Sequence, residues 1–403
     1  MSSPAKDVES TVDKPPQRAL SPEILAAPIV IADDQEINLK LIGAFLRQAG
    51  YHNLTFALDG EQALEAIAAK TPVLLILDIM MPNLSGLELT RMLKSDPSYA
   101  DLPVLVQTGL SSAKDRIEIF EAGATDLVTK PINGPELISR VSTHVERRLL
   151  IKSLTEWRQR VRSELIAANK MQLELLPAGD LLAALKRDHG IDIASRFISS
   201  TEMGGDFWGV MKIGPDCVGV FIVDFTGHGI LAALNTFRLH TLIQGMEQVP
   251  ASPGEFLGAL NARLKQLLPL GQFATMSCFY LYPEAGRMRW AAAGSPPPLL
   301  RDPAGGWTPL ASAGVPLGVV AGTVYPTSEA PFPKGSLLFL YSDALTEAEL
   351  PRGRLGEEGV LAVAQGIDMK GSMEDRLAGL IAPLKGREGS LDDDLTAIAI
   401  GNV

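Results

Sequence analysis

The stretch VLLILD (residues 73–78) decides the fold of the first part of the chain. It is a continuous apolar run ending in an acid, which is typical of a parallel strand buried on both faces. Four similar runs accompany it: IVIA (29–32), LTFA (54–57), VLVQ (104–107) and DLVT (126–129). Stretches with apolar residues at helical spacing lie between them. This β-α-β alternation predicts a doubly wound, five-stranded parallel sheet of the flavodoxin-like α/β class.

Polar side chains of related chemistry directly follow four of these five runs. They are Asp33, Asp34, Asp78, Thr108 and Lys130. Since ligands collect at the carboxyl ends of parallel strands, we expect these residues at one edge of the sheet. A divalent cation held by Asp33 and Asp34 would mask the charge of Asp78, which could then accept a phosphoryl group. Lys130 would pair with the phosphoryl oxygens, and the Thr108 hydroxyl would donate a hydrogen bond to one of them.

At these residues the segment 28–150 resembles the receiver domain of bacterial response regulators. The resemblance implies that a histidine kinase phosphorylates Asp78. It also implies that the Met80 carbonyl joins the aspartates in holding Mg²⁺. One position departs from the pattern, because receivers commonly carry an aromatic residue three positions before the lysine and this chain has Leu127. How a signal leaves the domain is therefore open.

A long stretch without glycine or proline, residues 136–176, comes next. Its apolar residues step by three and four, which is the spacing of a coiled-coil seam, and Glu164 interrupts that seam. The seam comprises Leu150, Leu154, Trp157, Val161, Ala168, Met171 and Leu175. We predict a long helix here. It either forms a homodimer as a two-stranded coiled coil or packs as an amphipathic helix on its own domain.

From Ile191 onward, strand-like runs such as CVGVFIVDF (217–225) are separated by Gly/Pro turns. Helical patterns lie apart from these runs, which predicts an α+β domain. The expected domain order is a disordered Ser/Pro-rich tail, the parallel α/β domain, a helical linker and the α+β domain. Their bounds are 1–27, 28–135, 136–180 and 181–403.

Four acidic motifs mark the ends of strand-like runs in this second half. They are GGD (204–206), DFTGHG (224–229), SD (342–343) and DDLT (393–396). Carboxylates at strand ends, with glycines that let backbone carbonyls approach, suit a pair of divalent ions. Such a pair lowers the pKa of a bridging water and neutralises phosphoryl oxygens, as hydrolysis of a phosphate ester requires. Taken singly, the motifs could be turns or a helix N-cap.

Together these motifs resemble the PPM-type metal-dependent serine/threonine phosphatases, over about residues 194–403. The wording EMGGDFW, IVDFTGHGILAAL and GSLLFLYSDALTEA is similar to the bacterial sporulation and stress-response branch. The resemblance implies a β-sandwich flanked by helices, with Asp224 bridging two Mg²⁺ or Mn²⁺ ions and water as the nucleophile. The remaining ligands that it implies are Asp206, the Gly227 carbonyl, Asp343 and Asp393.

The second half also departs from this family at three positions. Gly209 stands where the family usually has an aspartate, Ala344 replaces a glycine, and Ser295 replaces a histidine. The principal ligand positions are kept. Loss of the carboxylate at position 209 could weaken one metal site.

The composition argues against nucleic acid and membranes as partners. The net charge of −11 argues against nucleic acid, which needs a basic face. No apolar run reaches the length of about 20 residues that spans a bilayer. Cys217 and Cys278 are too few to cross-link 403 residues, which predicts a cytoplasmic protein without a membrane partner.

The resulting hypothesis is a two-component response regulator in which phosphorylation of Asp78 controls a metal-dependent phosphatase. By resemblance, its substrate is a phosphoserine-bearing anti-sigma-factor antagonist. The alternative is a degenerate phosphatase domain that sequesters a partner under control of phosphorylation, which Gly209 and Ala344 would explain.

Overall fold

A computed structural model describes residues 20–109, 112–200, 203–227, 229–350, 353–385 and 391–403. Residues 1–19 of the predicted tail, and His228 of the GHG motif, lie outside the described residues. The chain divides into two compact units between Arg160 and Val161, called here the first and the second unit.

The first unit alternates strands and helices throughout. Its elements are α1 (Pro22–Leu25), β1 (Ile29–Ala32), α2 (Glu36–Gln48), β2 (Leu54–Ala57), α3 (Gly60–Ala69), β3 (Leu74–Asp78), α4 (Gly86–Ser95), β4 (Val104–Thr108), α5 (Ala113–Glu121), β5 (Asp126–Thr129) and the start of α6 (Gly134–Leu173). The strands pair in parallel in the order β2-β1-β3-β4-β5. The predicted five-stranded parallel sheet is confirmed.

Apolar side chains cover both faces of this sheet. Strands β1, β3 and β4 are buried at every position, because helices lie on either side of them. Part of the expected tail also belongs here, since Ile24 of α1 is buried in the core beside α2. A buried aliphatic side chain of this kind contributes about 1.5–3 kcal/mol, which is enough to hold so short a helix in place.

The predicted long helix is confirmed as α6, which has 40 residues. Its first turns pack on the first unit through Leu137, Val141 and Val145. Asp126 of β5 adds an ion pair to Arg140 (2.6 Å) and a hydrogen bond to His144 (3.0 Å). By contrast, every residue of the section 151–160 is exposed. In that section the alternative of a helix packed on its own domain is therefore wrong.

The second unit is α+β, as predicted. Beyond the end of α6, its elements are α7 (Gly179–His189), β6 (Ile191–Ile198), β7 (Asp206–Gly214), β8 (Cys217–Phe225), α8 (Ile230–Gln244), α9 (Pro253–Leu267), β9 (Ala274–Tyr282), β10 (Arg287–Ala293), β11 (Leu299–Arg301), β12 (Trp307–Pro309), β13 (Ser328–Pro331), β14 (Leu337–Tyr341), α10 (Asp343–Glu347), β15 (Glu349–Leu350), β16 (Gly353–Arg354), α11 (Gly356–Gly366), α12 (Met373–Leu380) and β17 (Leu395–Asn402).

Two antiparallel five-stranded sheets form a sandwich in this unit. Their strand orders are β13-β10-β9-β8-β7 and β12-β11-β14-β17-β6. Trp208 and Phe279 of one sheet meet Leu338 and Ile398 of the other in a shared apolar layer. Helices α8 and α9 cover the outer face of the first sheet, and α11 and α12 cover that of the second. The predicted sandwich flanked by helices is confirmed.

The helices of the described residues do not include a membrane span. None of them combines the length and the apolar character that crossing a bilayer requires. Cys217 and Cys278 are both buried free thiols.

Candidate functional site

Three aspartates meet at the carboxyl edge of the parallel sheet in the first unit. Asp33 and Asp34 follow β1, and Asp78 is the last residue of β3. Asp33 and Asp78 are buried, whereas Asp34 is exposed. One carboxylate oxygen from each lies within 4.8 Å of the other two. Such a set of oxygen ligands matches the preference of Mg²⁺, so the residues fit the ion that the sequence predicts.

Lys130 closes this site from the neighbouring strand end. Its Nζ lies 2.9 Å from Asp78 Oδ2 and 3.0 Å from Asp33 Oδ2. Its backbone N–H donates to the Thr108 carbonyl at 2.8 Å, and the Lys130–Pro131 peptide bond is cis. Burial opposes the charge of Lys130, but the two carboxylates outweigh it and raise the pKa of the ammonium. A positive charge is thereby held beside the proposed phosphoryl acceptor.

The two buried aspartates differ in how strongly they are held. Asp33 accepts hydrogen bonds from the Asn38 amide, at 2.9 and 3.0 Å, and from the Gln35 backbone N–H at 3.0 Å. Asp78 accepts one backbone bond, from Ile79 at 2.9 Å. Burial raises the pKa of Asp78 despite the neighbouring Lys130. Asn38 was missed from the sequence, because its role depends on the first turn of α2 folding back over β1.

The other two predicted residues of this site lie beside Asp78. Thr108 ends the adjacent strand β4 and is buried. Met80 follows Asp78 by two residues, and its side chain is 73% exposed. An exposed side chain there is compatible with a role for the Met80 backbone carbonyl, which remains a prediction.

In the second unit, the hairpin formed by β7 and β8 brings Asp206 opposite Asp224. Asp206 is 1% exposed, and no donor in the described residues has good hydrogen-bonding geometry to its carboxylate oxygens. The nearby Thr396 and Ser342 hydroxyls favour its charge less than burial and Asp224 oppose it. A buried carboxylate without well-aligned partners is costly, because its charge has lost the solvation of water. A bound cation would supply the missing partner.

Repulsion between carboxylates extends beyond this pair. Burial and the charge of Asp224 raise the pKa of Asp206 well above its usual range. Burial raises the pKa of Asp224 to about 8, with contributions from Asp343, Asp393 and Asp394. The pKa of Asp343 is also raised, by burial and then by Asp393. Neighbouring acids with raised pKa values fit divalent cations, whose charge would reverse these shifts.

Two glycines allow the backbone to approach these acids. A Cβ on Gly205 would lie 2.8 Å from the Phe225 carbonyl oxygen and 3.1 Å from that of Gly227. Gly227 itself has a φ of 83°, which L side chains rarely adopt. The Gly227 carbonyl therefore lies beside the residue that precedes Asp206, as its predicted role as a ligand requires.

These carboxylates converge less closely than those of the first unit. Within the described part of the second unit, no three acidic, histidine or cysteine side chains bring ligand atoms within 4.8 Å of one another. Mutual repulsion of the four acids favours this spread. The structure thus places Asp206, Asp224, Asp343 and Asp393 as neighbours, and their roles as ligands remain predictions.

Asp394 has different partners from Asp393, which the DDLT motif (393–396) does not reveal. It is 1% exposed, and its Oδ1 accepts from Ser199 Oγ (3.0 Å) and from Ser200 N (2.8 Å). Its Oδ2 accepts from Gly205 N at 2.6 Å. These charge-assisted bonds fix the loop that leads into Asp206. Asp394 is thus a positioning residue.

Gln172, near the end of α6, reaches the same loop. Its Nε2 donates to the Gly204 carbonyl at 2.7 Å, and its Oε1 accepts from Gly204 N at 3.3 Å. A further hydrogen bond of 3.2 Å joins it to Thr236 of α8. Gln172 is 3% exposed, so it couples the end of α6 to the GGD motif through a buried amide.

The structure shows the surroundings of the three residues that depart from the family pattern. A Cβ on Gly209 would lie 2.5 Å from the Phe221 ring, so this ring occupies the place of the usual aspartate side chain. Ala344 is buried in α10. Ser295 shares a chain of hydroxyls with Ser277 (2.5 Å) and Ser312 (3.2 Å).

Both units match known protein families. Residues 29–142 match the response regulator receiver domain, and residues 214–402 match the family described as Stage II sporulation protein E (SpoIIE). The chain joins a receiver domain to a SpoIIE phosphatase domain. Every predicted site residue of the receiver domain lies within the first match, and Asp224, Gly227, Asp343 and Asp393 lie within the second.

Individual relatives match part of the chain. The response regulator PleD of Caulobacter vibrioides is 39% identical over 132 residues, which are 33% of this chain and 29% of PleD. The transcriptional regulatory protein YvrH of Bacillus subtilis is 31% identical over 157 residues, which are 39% of this chain and 65% of YvrH. The chain thus spans less than two thirds of the length of these relatives.

A solved structure supports the fold of the phosphatase domain. The SiaA-PP2C domain of Pseudomonas aeruginosa superposes with a TM-score of 0.52 and 20% sequence identity. The superposition covers 60% of this chain and 98% of that one. At this identity the likeness shows the shared fold.

Proposed function

We propose that the protein is a response regulator in which phosphorylation of Asp78 controls a metal-dependent protein serine/threonine phosphatase. One observation carries the proposal. The buried Asp206, which lacks a well-aligned hydrogen-bond donor in the described residues, faces Asp224 among further acids, in a chain whose first unit also brings Asp33, Asp34 and Asp78 together.

In the receiver domain, a histidine kinase would supply the phosphoryl group. Asp33, Asp34 and the Met80 carbonyl would hold Mg²⁺ beside Asp78. Lys130 already forms an ion pair with the carboxylate that would be modified. After phosphorylation, its ammonium group could pair with the phosphoryl oxygens instead. The Thr108 hydroxyl would donate to one of these oxygens from the adjacent strand.

In the phosphatase domain, Asp206, Asp224, Asp343, Asp393 and the Gly227 carbonyl would hold two Mg²⁺ or Mn²⁺ ions. When bound, such a pair lowers the pKa of a water and neutralises phosphoryl oxygens. Asp394 keeps the loop before Asp206 in place through its bond to Gly205. The positions of the carboxylates are thereby set before any substrate arrives.

Coupling between the two domains would run through α6. A change in the receiver domain that shifts α6 would pull on the amide pair between Gln172 and Gly204, two residues before Asp206. That movement would improve or disrupt the acidic cluster. A two-state element of this kind, biased by phosphorylation, is a common form of switch.

We expect Gln172→Ala to lower the free energy of unfolding of the phosphatase domain by about 2 kcal/mol, because Gly204 loses both buried partners. Turnover should fall with it, and more Mn²⁺ should be needed to reach the maximal rate. Gln159→Ala, at an exposed position of the same helix, is the matched control. Thermal unfolding and Mn²⁺ titrations measure both effects. Equal behaviour of the two variants would contradict the coupling.

The protein would form a homodimer through residues 136–176. On the seam, Leu150, Leu154 and Trp157 are 71%, 61% and 61% exposed, and a second copy of the helix would cover them. We expect Leu154→Glu to convert a dimer into a monomer in light scattering. Ile166→Glu lies off the seam at almost the same exposure, 59%, and should stay dimeric. A monomeric wild type, or equal effects of the two variants, would contradict the coiled coil.

The substrate would be a protein, namely a serine-phosphorylated anti-sigma-factor antagonist. This part of the proposal rests on the resemblance of the second half to the sporulation and stress-response branch. The alternative is that the domain sequesters such a partner without turnover. Gly209 favours that alternative, because the Phe221 ring leaves no place for a fifth carboxylate.

One experiment tests the proposal and separates the alternatives. The rate of hydrolysis of para-nitrophenyl phosphate is measured with and without Mn²⁺, and before and after treatment with beryllofluoride as an acyl-phosphate analogue. We expect a rate that requires Mn²⁺ and changes with beryllofluoride. No rate under any condition, together with stable binding of the phosphorylated antagonist, would favour sequestration.

A further inference from the structure

An apolar surface begins where the proposed metal site ends. Helix α8 starts three residues after Gly227, and its first two turns expose Ile230, Leu231 and Leu234. These side chains are 51%, 68% and 52% exposed. A helix that borders its own core would normally present polar residues on this face. Another face of α8 packs on the sheet and supplies the residues of this helix that belong to the core. The exposed apolar side chains therefore form a separate face of the helix.

The loop that connects α9 to β9 continues this surface. Arg238 of α8 donates to the Leu267 carbonyl at 3.2 Å, and Asn235 donates to Gln272 at 2.9 Å. The same loop is joined to Thr226, which precedes the proposed ligand Gly227, because Phe273 N donates to Thr226 Oγ1 at 3.0 Å. Leu267 is 45% exposed, and the side chain of Leu270 is fully exposed.

A third segment adds to the surface from the loop before β13. A Cβ on Gly318 would lie 2.8 Å from Leu268, so this segment touches the loop that carries Leu270. The next residue, Val319, is 41% exposed. We call the resulting surface the apolar rim, and it consists of Ile230, Leu231, Leu234, Leu267, Leu270 and Val319.

Charged residues are sparse along the apolar rim, and Arg238 at its edge is held by the Asn235 side chain and the Leu267 carbonyl. No aspartate, glutamate, lysine or arginine occurs in the three segments that contribute to it, which are residues 225–237, 266–283 and 303–328. This is unusual in a chain of which 21% of the residues are charged. Exposed apolar patches without charges are typical of surfaces that bind another protein.

We propose that the apolar rim is the docking surface for the phosphoprotein substrate, which would present its phosphoserine from an apolar part of its folded surface. The proposal rests on the phosphatase function proposed above. Ile230 and Leu231 begin the helix that follows Gly227, so a folded protein whose phosphoserine reaches Asp224 would approach beside them. A small phosphoester would gain nothing from this surface, and a substrate recognised by charge would need basic or acidic residues here.

The test compares substrates on the full-length protein. Leu231→Asp, and Leu270→Asp in the fully exposed loop, are assayed on the serine-phosphorylated antagonist protein, on a short phosphoserine peptide from it, and on para-nitrophenyl phosphate. Leu181→Asp is the matched control. Leu181 is 43% exposed on α7, beside the end of β7 that lies away from Asp206.

For the wild type, we expect kcat/KM to be higher for the folded protein than for the peptide. Each rim variant should lower kcat/KM for the folded protein by about tenfold or more, mostly through KM, and leave the rate on para-nitrophenyl phosphate unchanged. Leu181→Asp should change neither rate. The use of two variants guards against a local folding defect in α8.

Several results would overturn the rim as a docking surface. They are equal rates of the wild type on protein and peptide, full activity of both rim variants on the protein, and a change of oligomeric state in either variant. The last would show that a second copy covers the rim. Failure of the proposed function is distinguishable, because the wild type would then lack a Mn²⁺-dependent rate on para-nitrophenyl phosphate before any variant is compared.

Discussion

Replacing Asp224 with asparagine should abolish the Mn²⁺-dependent hydrolysis of para-nitrophenyl phosphate. Asp224 faces Asp206 across the hairpin and feels the charges of Asp343 and Asp393. In the proposed site it would be shared by both ions, so its loss affects each of them. We expect a decrease of more than about 100-fold, since even residues that merely support metal ligands cost 10–100-fold when mutated.

A second measurement separates this effect from misfolding. The substitution Asp224→Asn keeps the shape of the native side chain but removes one of the repelling charges. In the absence of metal, the variant should therefore unfold at a higher temperature than the wild type. Asp216→Asn is the matched control, because Asp216 is exposed in the turn of the same hairpin. Retained turnover in Asp224→Asn would mean that the catalytic site lies elsewhere.

Replacing Asp78 with asparagine should remove all control by phosphorylation. The amide cannot accept the phosphoryl group, and its oxygen can still accept the hydrogen bond from Lys130. We expect no labelling by a phosphoryl donor, compared with stoichiometric labelling of the wild type. The rate of the phosphatase domain should no longer change with beryllofluoride.

The control for this variant is Asp101→Asn, at an exposed position of the same domain. It should be labelled and should respond as the wild type does. Binding of Mn²⁺ to the phosphatase domain, followed by calorimetry, should be the same in both variants. A response to beryllofluoride that survives in Asp78→Asn would refute Asp78 as the point of control.

Much of the fold could be predicted because local patterns dictate it. The runs around VLLILD form strands whose bounds differ from the predicted ones by at most one residue. Short continuous apolar runs between helical patterns are typical of buried strands. The long helix was equally clear from its lack of glycine and proline. Its exposure was not, because a seam of apolar residues looks the same whether it packs on its own domain or waits for a partner.

The residues that position the site could not be predicted in the same way. Gln172 is 32 residues from Gly204, and Asp394 is 189 residues from Gly205. In both cases the partner is a backbone group. Every residue type has such a group, so the sequence does not indicate which residue is bonded. The acids themselves were found because carboxylates at strand ends have a chemical meaning without coordinates. Only the structure shows that Asp394 holds the loop at Gly205, whereas Asp393 lies near Asp224 and Asp343.

The position of β17 has a consequence for biosynthesis. This strand, Leu395–Asn402, lies between β14 and β6, and the acids just before it include the one that holds the GGD loop. A nascent chain that stops before residue 391 therefore lacks an interior strand of one sheet and a clamp of the acidic cluster. The parallel sheet of the receiver domain is complete once Thr129 has left the ribosome. Translation thus completes the parallel sheet of the first unit long before the acidic cluster of the second unit can form.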